Sequence, residues 1–137
     1  MQKLKKMSTK EVEKKAIDLV IAYEKKRGQK EVYPVNRNKD HIGYDVKSDN
    51  LKIEVKARGP EDGSHLLFSK KNIECLEGTD SEDYSLYAVV GVRTNNPKLK
   101  ILSKEKIKGI KQSEESWVIP TTAKNGFKTE QINLNQL

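Results

Sequence analysis

Apolar positions recur along the chain with two different periods, and each period predicts a different kind of element. In the first thirty residues the apolar side chains are spaced by three and four, which is typical of an amphipathic helix. Ser8 and Glu11 form a capping box in front of this stripe, and Gly28 follows it as a left-handed C-terminal cap. The pattern therefore predicts a helix over residues 9–27.

A period of two, which is typical of strands, dominates the next part of the chain. Residues 43–56 alternate on both sides of Asp49 and Asn50, two residues that tolerate turn conformations, and this predicts a β-hairpin. Residues 31–35 predict a short strand, which Pro34 restricts to a sheet edge or a strand end.

The second half of the chain continues with a brief helix and two more strands. Ser69 can cap a helix that runs to about residue 76. The nearly continuous apolar run 86–92 suits a strand buried on both faces, and residues 98–102 alternate again. The order helix, three strands, helix, two strands predicts an α/β fold with a mixed central sheet flanked by helices.

The length of 137 residues is that of one domain with one core, so we expect a single domain over 1–137. Within it we expect a basic extension at 1–8 and a core over about 9–110. Short strands at 66–68 and 117–119 and one helical turn from 103 are weaker predictions. The rest of 111–137 is polar, and its pattern leaves its structure open.

Composition narrows the class of protein. Apolar runs are clustered even though only 34% of residues are hydrophobic, which argues against disorder. No apolar stretch reaches the roughly 18 residues of a membrane span, so no membrane partner is expected. A single cysteine excludes a disulfide framework and fits a reducing cytoplasm.

The net charge of +7 is unevenly distributed along the chain. Residues 1–30 carry +6, whereas residues 74–83 carry −5. A basic balance permits a polyanionic partner such as nucleic acid, although lysine-rich runs also occur on solvated helix faces. The acidic run leaves open a role as a protein–protein adaptor.

The hairpin holds the candidate chemistry. With Asp49 and Asn50 as a two-residue loop, Asp45 faces Glu54 and Lys56 joins them on the same side. Opposed carboxylates have β-carbons about 5 Å apart. At an effective dielectric of about 20 they repel each other by on the order of 3 kcal/mol. Protonation, a basic neighbour or a cation must relieve this repulsion, and two converging carboxylates suit a divalent ion such as Mg²⁺.

A plainer interpretation of the same hairpin is an amphipathic surface. The apolar residues Tyr44, Val46 and Ile53 are expected on the opposite face, against the helix. The solvated side would then consist of Asp45, Lys47, Lys52, Glu54 and Lys56, with Lys56 as an ordinary ion-pair partner of Glu54.

The order of these residues resembles a known superfamily. Asp45, followed after a short turn by Glu54-Val55-Lys56, stands behind an acid-bearing helix and before a second helix and a buried strand. This arrangement resembles the PD-(D/E)XK nucleases, with Tyr44-Asp45 where that superfamily has Pro-Asp. A closer resemblance, to the NO VEIN C-terminal-like domain family of unknown function, covers roughly residues 12–110. It is carried by the segments Gly43-Tyr44-Asp45, Ile53-Glu54-Val55-Lys56 and Tyr84-Ser85-Leu86-Tyr87-Ala88-Val89. Asn72 stands on the second helix where this closer family leads us to expect an acid.

The resemblance implies a restriction-endonuclease-like three-layer sandwich and a metal-dependent endonuclease that hydrolyses phosphodiester bonds in DNA. It implies that Asp45 and Glu54 hold Mg²⁺ or Mn²⁺, with the Val55 carbonyl as a third ligand. Lys56 would serve the nucleophilic water. Glu24 matches the acidic residue that superfamily members often carry on the first helix, and it completes the expected catalytic set.

Contacts to DNA are expected from basic residues that solvation explains equally well, namely Lys3, Lys5, Lys6, Arg58, Lys70 and Lys71. Two alternatives stay open beside the nuclease. One is a catalytically silent module that binds nucleic acid or protein. The other is a Holliday-junction resolvase-like enzyme, for which a homodimer is the expected assembly.

Overall fold

The computed structural model describes residues 7–35, 43–58, 65–78, 83–110, 113–120 and 132–134. Over these ranges the chain forms three helices and eight strands. Their bounds are α1 Thr9–Lys26, β1 Val32–Pro34, β2 Val46–Ser48, β3 Leu51–Ala57, β4 His65–Phe68, α2 Lys70–Gly78, β5 Asp83–Val90, β6 Lys98–Ser103, α3 Lys104–Ile110, β7 Trp117–Pro120 and β8 Ile132–Asn133.

Helix α1 begins and ends as its sequence predicts. The Ser8 hydroxyl accepts the Glu11 N–H at 3.2 Å, and the Glu11 carboxylate accepts the Ser8 N–H at 3.4 Å, so the capping box is present. Gly28 follows the helix with a φ of +99°, a conformation that glycine adopts without strain. Of the helices described, none has the length and apolar character needed to cross a membrane.

Six strands form one mixed sheet in the order β1-β2-β3-β5-β6-β8. Strands β3 and β5 are parallel, and the other neighbours are antiparallel. The hairpin has the predicted register, with Val46 opposite Ile53 and Ser48 opposite Leu51. Strand β1, which contains Pro34, lies at the edge of the sheet as predicted.

Apolar layers cover both faces of the sheet. On one face α1 packs against a cluster that contains Tyr87 and Val89, and on the other face α2 and α3 pack with Leu86 and Ala88. Strand β5 is therefore buried on both sides, because its alternate residues serve different cores. The predicted α/β fold with a mixed sheet flanked by helices is confirmed.

The chain after α3 adds two strands, of which β7 was predicted at 117–119 and β8 lies in the segment whose structure the pattern left open. Strand β7 pairs with β4 in a separate two-stranded ribbon, and β8 pairs with β6 at the second edge of the main sheet. The inner side of the ribbon contributes Leu66, Phe68, Trp117 and Ile119 to the cluster around α2. The ribbon thus adds to the apolar layer that packs against β5 on the side away from α1.

Candidate functional site

Strand β3 extends beyond β2, and the exposed strand edge organises the site. β2 begins at Val46, opposite Ile53, whereas β3 continues to Ala57. Just before β2, the Asp45 N–H donates to the Ile53 carbonyl at 2.8 Å. The Val55 N–H in turn donates to Asp45 Oδ2 at 2.8 Å. The Asp45 side chain therefore takes the place of a neighbouring strand and is positioned by the backbone of β3.

This irregular start of the hairpin also changes the side of the sheet that Tyr44 contacts. Val46 and Ile53 pack on the α1 face, as expected. Tyr44 instead packs against the α2 cluster, so the predicted placement of Tyr44 is wrong. The reason is the bend at Asp45, which interrupts the alternation of faces.

The Val55 carbonyl faces the same edge as the Asp45 carboxylate. In a β-strand the N–H and C=O of one residue point toward the same neighbouring strand. Because the Val55 N–H reaches Asp45, the Val55 carbonyl lies on that side as well. The backbone thus adds an oxygen beside the two acids, where the resemblance implies a third ligand.

Glu54 and Lys56 complete the group of side chains. Asp45 and Glu54 are 1% and 2% exposed, and Lys56 Nζ lies 3.0 Å from Glu54 Oε2. Within the part of the chain that the structure describes, the buried Glu54 Oε1 has no hydrogen-bond partner. Burial first, and the charge of Asp45 second, raise the pKa of Glu54 to about 8, although Lys56 lowers it. The alternative of a solvated hairpin face does not fit such buried carboxylates.

A cavity of about 250 Å³ gives access to this group. It lies between the end of β3, the first half of α1 and the β4 ribbon, and Glu54, Lys56, Arg58 and Leu67 line it. The acid that α1 contributes to the lining is Glu13, which the sequence analysis did not select. Its spacing of one helical turn from Ile17, another lining residue, was the available signal. However, that signal does not tell which end of the helix approaches the hairpin.

Glu24 is not brought to this cavity. Its carboxylate is fully buried on the α1 face, where it accepts hydrogen bonds from the Ser48 hydroxyl at 2.8 Å and the Tyr87 hydroxyl at 2.9 Å. It also accepts one from Arg27 at 3.3 Å. Glu24 follows Glu13 by eleven residues, or roughly 16 Å along the helix axis. The expectation that Glu24 reaches the two acids is therefore not met by the geometry.

Gly43 allows the chain to approach α2 closely just before Asp45. Its φ is +89°, and a β-carbon at this position would lie 2.4 Å from the Lys71 carbonyl oxygen and 2.7 Å from the β-carbon of Cys75. Any other residue would be strained and would displace the helix. The Gly-Tyr-Asp segment thus begins with glycine for a steric reason.

Two buried side chains hold this segment in place. The Gly43 carbonyl accepts hydrogen bonds from Asn72 Nδ2 at 3.1 Å and from the Tyr84 hydroxyl at 3.0 Å. Asn72 also caps α2, since its Oδ1 accepts the Ser69 N–H at 2.9 Å. An asparagine can donate and accept at once, which a carboxylate cannot do. Asn72 therefore links α2 to the loop that carries Asp45.

The expected DNA contacts are dispersed. Lys3, Lys5 and Lys6 lie outside the described residues. Lys70 and Lys71 are exposed and form surface ion pairs, with Glu115 at 3.6 Å and Glu74 at 3.8 Å. Of the expected contacts in the described ranges, Arg58 alone lines the cavity.

The donors at the site fit a hard divalent cation. They are two carboxylates and a backbone carbonyl, all oxygen ligands of the type that Mg²⁺ prefers. No group of three or more His, Cys, Asp or Glu side chains is placed to hold a metal in the chain as described. Since Mg²⁺ keeps several waters and is usually bound by one or two carboxylates, two acids are sufficient.

Comparison with known proteins identifies the family. The model of the family described as Protein NO VEIN, C-terminal, matches residues 12–102, roughly two thirds of the chain. The chain therefore belongs to this family, and the matched range includes Asp45, Glu54 and Lys56. No curated protein and no solved structure gives a significant match.

Proposed function

We propose that this member of the NO VEIN C-terminal family is a metal-dependent nuclease that hydrolyses phosphodiester bonds in DNA. The observation that carries the proposal is the buried pair Asp45 and Glu54, with Lys56 at 3.0 Å from Glu54, beside a cavity. Two adjacent buried carboxylates destabilise each other unless a proton or a cation intervenes. The resemblance of the hairpin to PD-(D/E)XK nucleases supports the same conclusion.

Asp45, Glu54 and the Val55 carbonyl would hold Mg²⁺ or Mn²⁺. When bound, such an ion supplies a lowered pKa for its water and positive charge beside the scissile phosphate. Lys56 lies next to Glu54 and opens on the cavity, so its ammonium group can orient the nucleophilic water or stabilise charge that develops on phosphate oxygens. Arg58, on the same lining, can bind a phosphate oxygen of the substrate.

The reaction is a hydrolysis. The attacking water gives up one proton as its oxygen forms a bond to phosphorus, one ester P–O bond breaks, and the leaving oxygen takes up a proton to become an alcohol. Within the protein, the Val55 N–H keeps the Asp45 carboxylate oriented throughout. Glu24 acts in this proposal as a positioning residue, because it holds the Ser48 end of the hairpin from the opposite face of the sheet.

The test is nicking of a supercoiled plasmid in Mg²⁺ by the wild type, Glu54→Gln and Lys56→Met. We expect each variant to lose about a thousandfold in rate, because each removes a group that acts on the reacting phosphate. A matched control is the exposed α1 pair Lys14 and Asp18, which are 2.8 Å apart. Lys14→Met and Asp18→Asn should keep the wild-type rate.

Nicking that survives both site variants would contradict the proposal, as would nicking that survives chelation of the metal. Binding of DNA with neither turnover nor Mg²⁺ affinity would instead favour the catalytically silent module. A preference for four-way junctions over linear duplex, together with a stable homodimer, would favour the resolvase-like alternative.

A further inference from the structure

We propose that the sheet face beside the Asp45–Glu54 site binds an unpaired DNA strand through a basic–aromatic row. The row consists of Tyr33 on β1, Lys47 on β2 and Lys52 on β3, with Tyr44 beside Lys52. The inference rests on the proposed function because it names the form of substrate that would reach the same site.

The row is a consequence of strand register. Tyr33 is directly opposite Lys47, and Lys47 is directly opposite Lys52. Directly opposed residues project from the same face of a sheet, so the three side chains stand next to one another. Lys52 Nζ lies 5.3 Å from the centre of the Tyr44 ring, which adds a second aromatic group. In the sequence these four residues are spread over twenty positions and form no visible motif.

The row is continuous with the candidate catalytic group. Lys52 precedes Glu54 by two residues on β3, so both point to the same side, roughly 7 Å apart along the strand. Helix α1 contacts β1, β2 and β3, and its buried partners Val46 and Ile53 lie on the other face. A strand lying along Tyr33, Lys47 and Lys52 would therefore lead toward Glu54 and Lys56.

The charges of the row favour a polyanion. Like charges directly opposite each other across two strands destabilise a sheet. Lys47 and Lys52 form such a pair, and both are partly exposed. A phosphate backbone that follows the strands would pass both ammonium groups and would bind in a salt-dependent way.

The aromatic part of the row favours an unpaired strand over a duplex. Tyr33 is 52% exposed, so its ring is open to a stacking partner. Bases stack on exposed aromatic rings when their faces are free, which is the case in single strands but not inside a double helix. Tyr33 beside two lysines thus has the chemistry of a base-stacking platform next to a backbone contact.

The test is fluorescence anisotropy with a labelled single-stranded DNA and with the same sequence as a duplex, both in a metal chelator so that no turnover occurs. We expect the wild type to bind the single strand more tightly. Tyr33→Ala should weaken that binding about tenfold, whereas Tyr33→Phe should keep it because the ring remains. Lys47→Ala and Lys52→Ala should each reduce the slope of log affinity against log salt by about 0.7.

Lys25→Ala is the matched control, since Lys25 is an exposed lysine in the last turn of α1. It should leave the affinity for single strands within about twofold of the wild type. Equal affinity for duplex and single strand, or a folded Tyr33→Ala variant that binds like the wild type, would overturn the inference. The binding assay contains no metal, so it is independent of the nicking assay. Wild-type protein that binds the single strand as expected but does not nick the plasmid in Mg²⁺ contradicts the proposed function alone. Cleavage that is retained without any effect of Tyr33 contradicts this inference alone.

Discussion

Two glutamates are buried in the core of this protein on opposite faces of one sheet, and they differ in how their charge is satisfied. Glu24, on the α1 face, accepts hydrogen bonds on both oxygens, from Ser48, Tyr87 and Arg27. Its partners come from α1 itself and from two strands. The Glu24 carboxylate therefore links α1 to β2 and β5, and both of its oxygens accept hydrogen bonds inside the protein.

Glu54, on the other face, is satisfied only in part. Oε2 pairs with Lys56 at 3.0 Å, whereas Oε1 has no hydrogen-bond partner in the described part of the chain. A second acid, Asp45, raises the energy of its charged form. A fully bonded buried carboxylate stabilises a fold, but a half-bonded one next to another acid costs free energy and indicates a ligand site. The comparison thus separates an acid whose two oxygens are both hydrogen-bonded within the fold from the acid to which we assign the proposed metal.

The largest effect on stability is expected from a change at Gly43, which lies against α2 two residues before Asp45. In Gly43→Ala the new β-carbon meets the Lys71 carbonyl oxygen at 2.4 Å while φ is +89°. Crowding against backbone and the left-handed conformation together should lower the free energy of unfolding by about 4 kcal/mol. Urea denaturation measures this loss.

Gly28→Ala is the control for Gly43→Ala. Gly28 also has a positive φ, +99°, but a β-carbon there would have nothing within 4 Å. Its loss should be about 1 kcal/mol from backbone strain alone. Equal losses for the two variants would contradict a close contact between Gly43 and α2.

The isosteric variants Glu24→Gln and Glu54→Gln test the comparison directly. Glu24→Gln replaces an acceptor of the Tyr87 and Arg27 hydrogen bonds, so we expect a loss of about 3 kcal/mol in the free energy of unfolding at pH 7. At pH 7 Glu54, with a pKa of about 8, is largely protonated, so the neutral Glu54→Gln side chain replaces a neutral acid and its loss should be under about 1 kcal/mol. A larger loss of stability in Glu54→Gln than in Glu24→Gln would contradict this assignment of the two glutamates.

The pH dependence of stability sharpens the same contrast. Glu54 has a pKa of about 8 in the folded state against an ordinary 4.5, so the folded state binds the extra proton between these values. The stability from this protonation is fully present below about pH 4.5 and is lost as the pH rises through about 8. Without metal, Glu54→Gln should therefore gain on the order of 4 kcal/mol relative to the wild type between pH 5 and pH 9.

Urea denaturation at a series of pH values in a metal chelator measures that gain. A difference between Glu54→Gln and the wild type that stays constant with pH would rule out a protonated Glu54. In the same range, Mg²⁺ affinity of the wild type should rise with pH, because the ion must displace the proton.

The smallest effects are expected from two tyrosines of β5 that face opposite sides. Tyr84→Phe and Tyr87→Phe each remove one buried hydroxyl donor and should each cost about 1 kcal/mol. Tyr84 holds the Gly43 carbonyl, two residues before Asp45, so Tyr84→Phe should also weaken Mg²⁺ affinity about threefold in calorimetry. Tyr87→Phe should leave the Mg²⁺ affinity unchanged. An equal loss of Mg²⁺ affinity in the two variants would contradict a specific role of Tyr84 in holding the loop before Asp45.

Local sequence was sufficient for the elements around the site. The capping box of α1, the turn at Asp49 and Asn50 and the register of the hairpin depend on neighbours within a few residues, and all were predicted correctly. Such features are encoded locally because turn chemistry and side-chain alternation need no distant partner. The register of the hairpin ends at Val46 opposite Ile53, and Asp45, just before it, meets β3 through the Val55 N–H and not as a paired position.

The spacing of apolar and polar residues did not predict contacts between elements that are distant in sequence. Glu24 and Glu13 are both acids on one helix, and only the direction in which α1 crosses the sheet decides that Glu13 lies at the cavity. The bend at Asp45 moved Tyr44 to the α2 side, which alternation alone could not anticipate.

The sequence by itself determined the α/β class and the hairpin with its register, since these depend on period and spacing. Tertiary structure alone decided how Asp45 meets β3, that Asp45 and Glu54 are buried, that Glu24 is hydrogen-bonded elsewhere, and that Tyr33 joins two lysines in one row. The energy of a buried carboxylate depends on how far the surrounding elements exclude water from it and which hydrogen-bond donors they supply. Those elements, α2 and the β4–β7 ribbon among them, come from parts of the chain far from the hairpin.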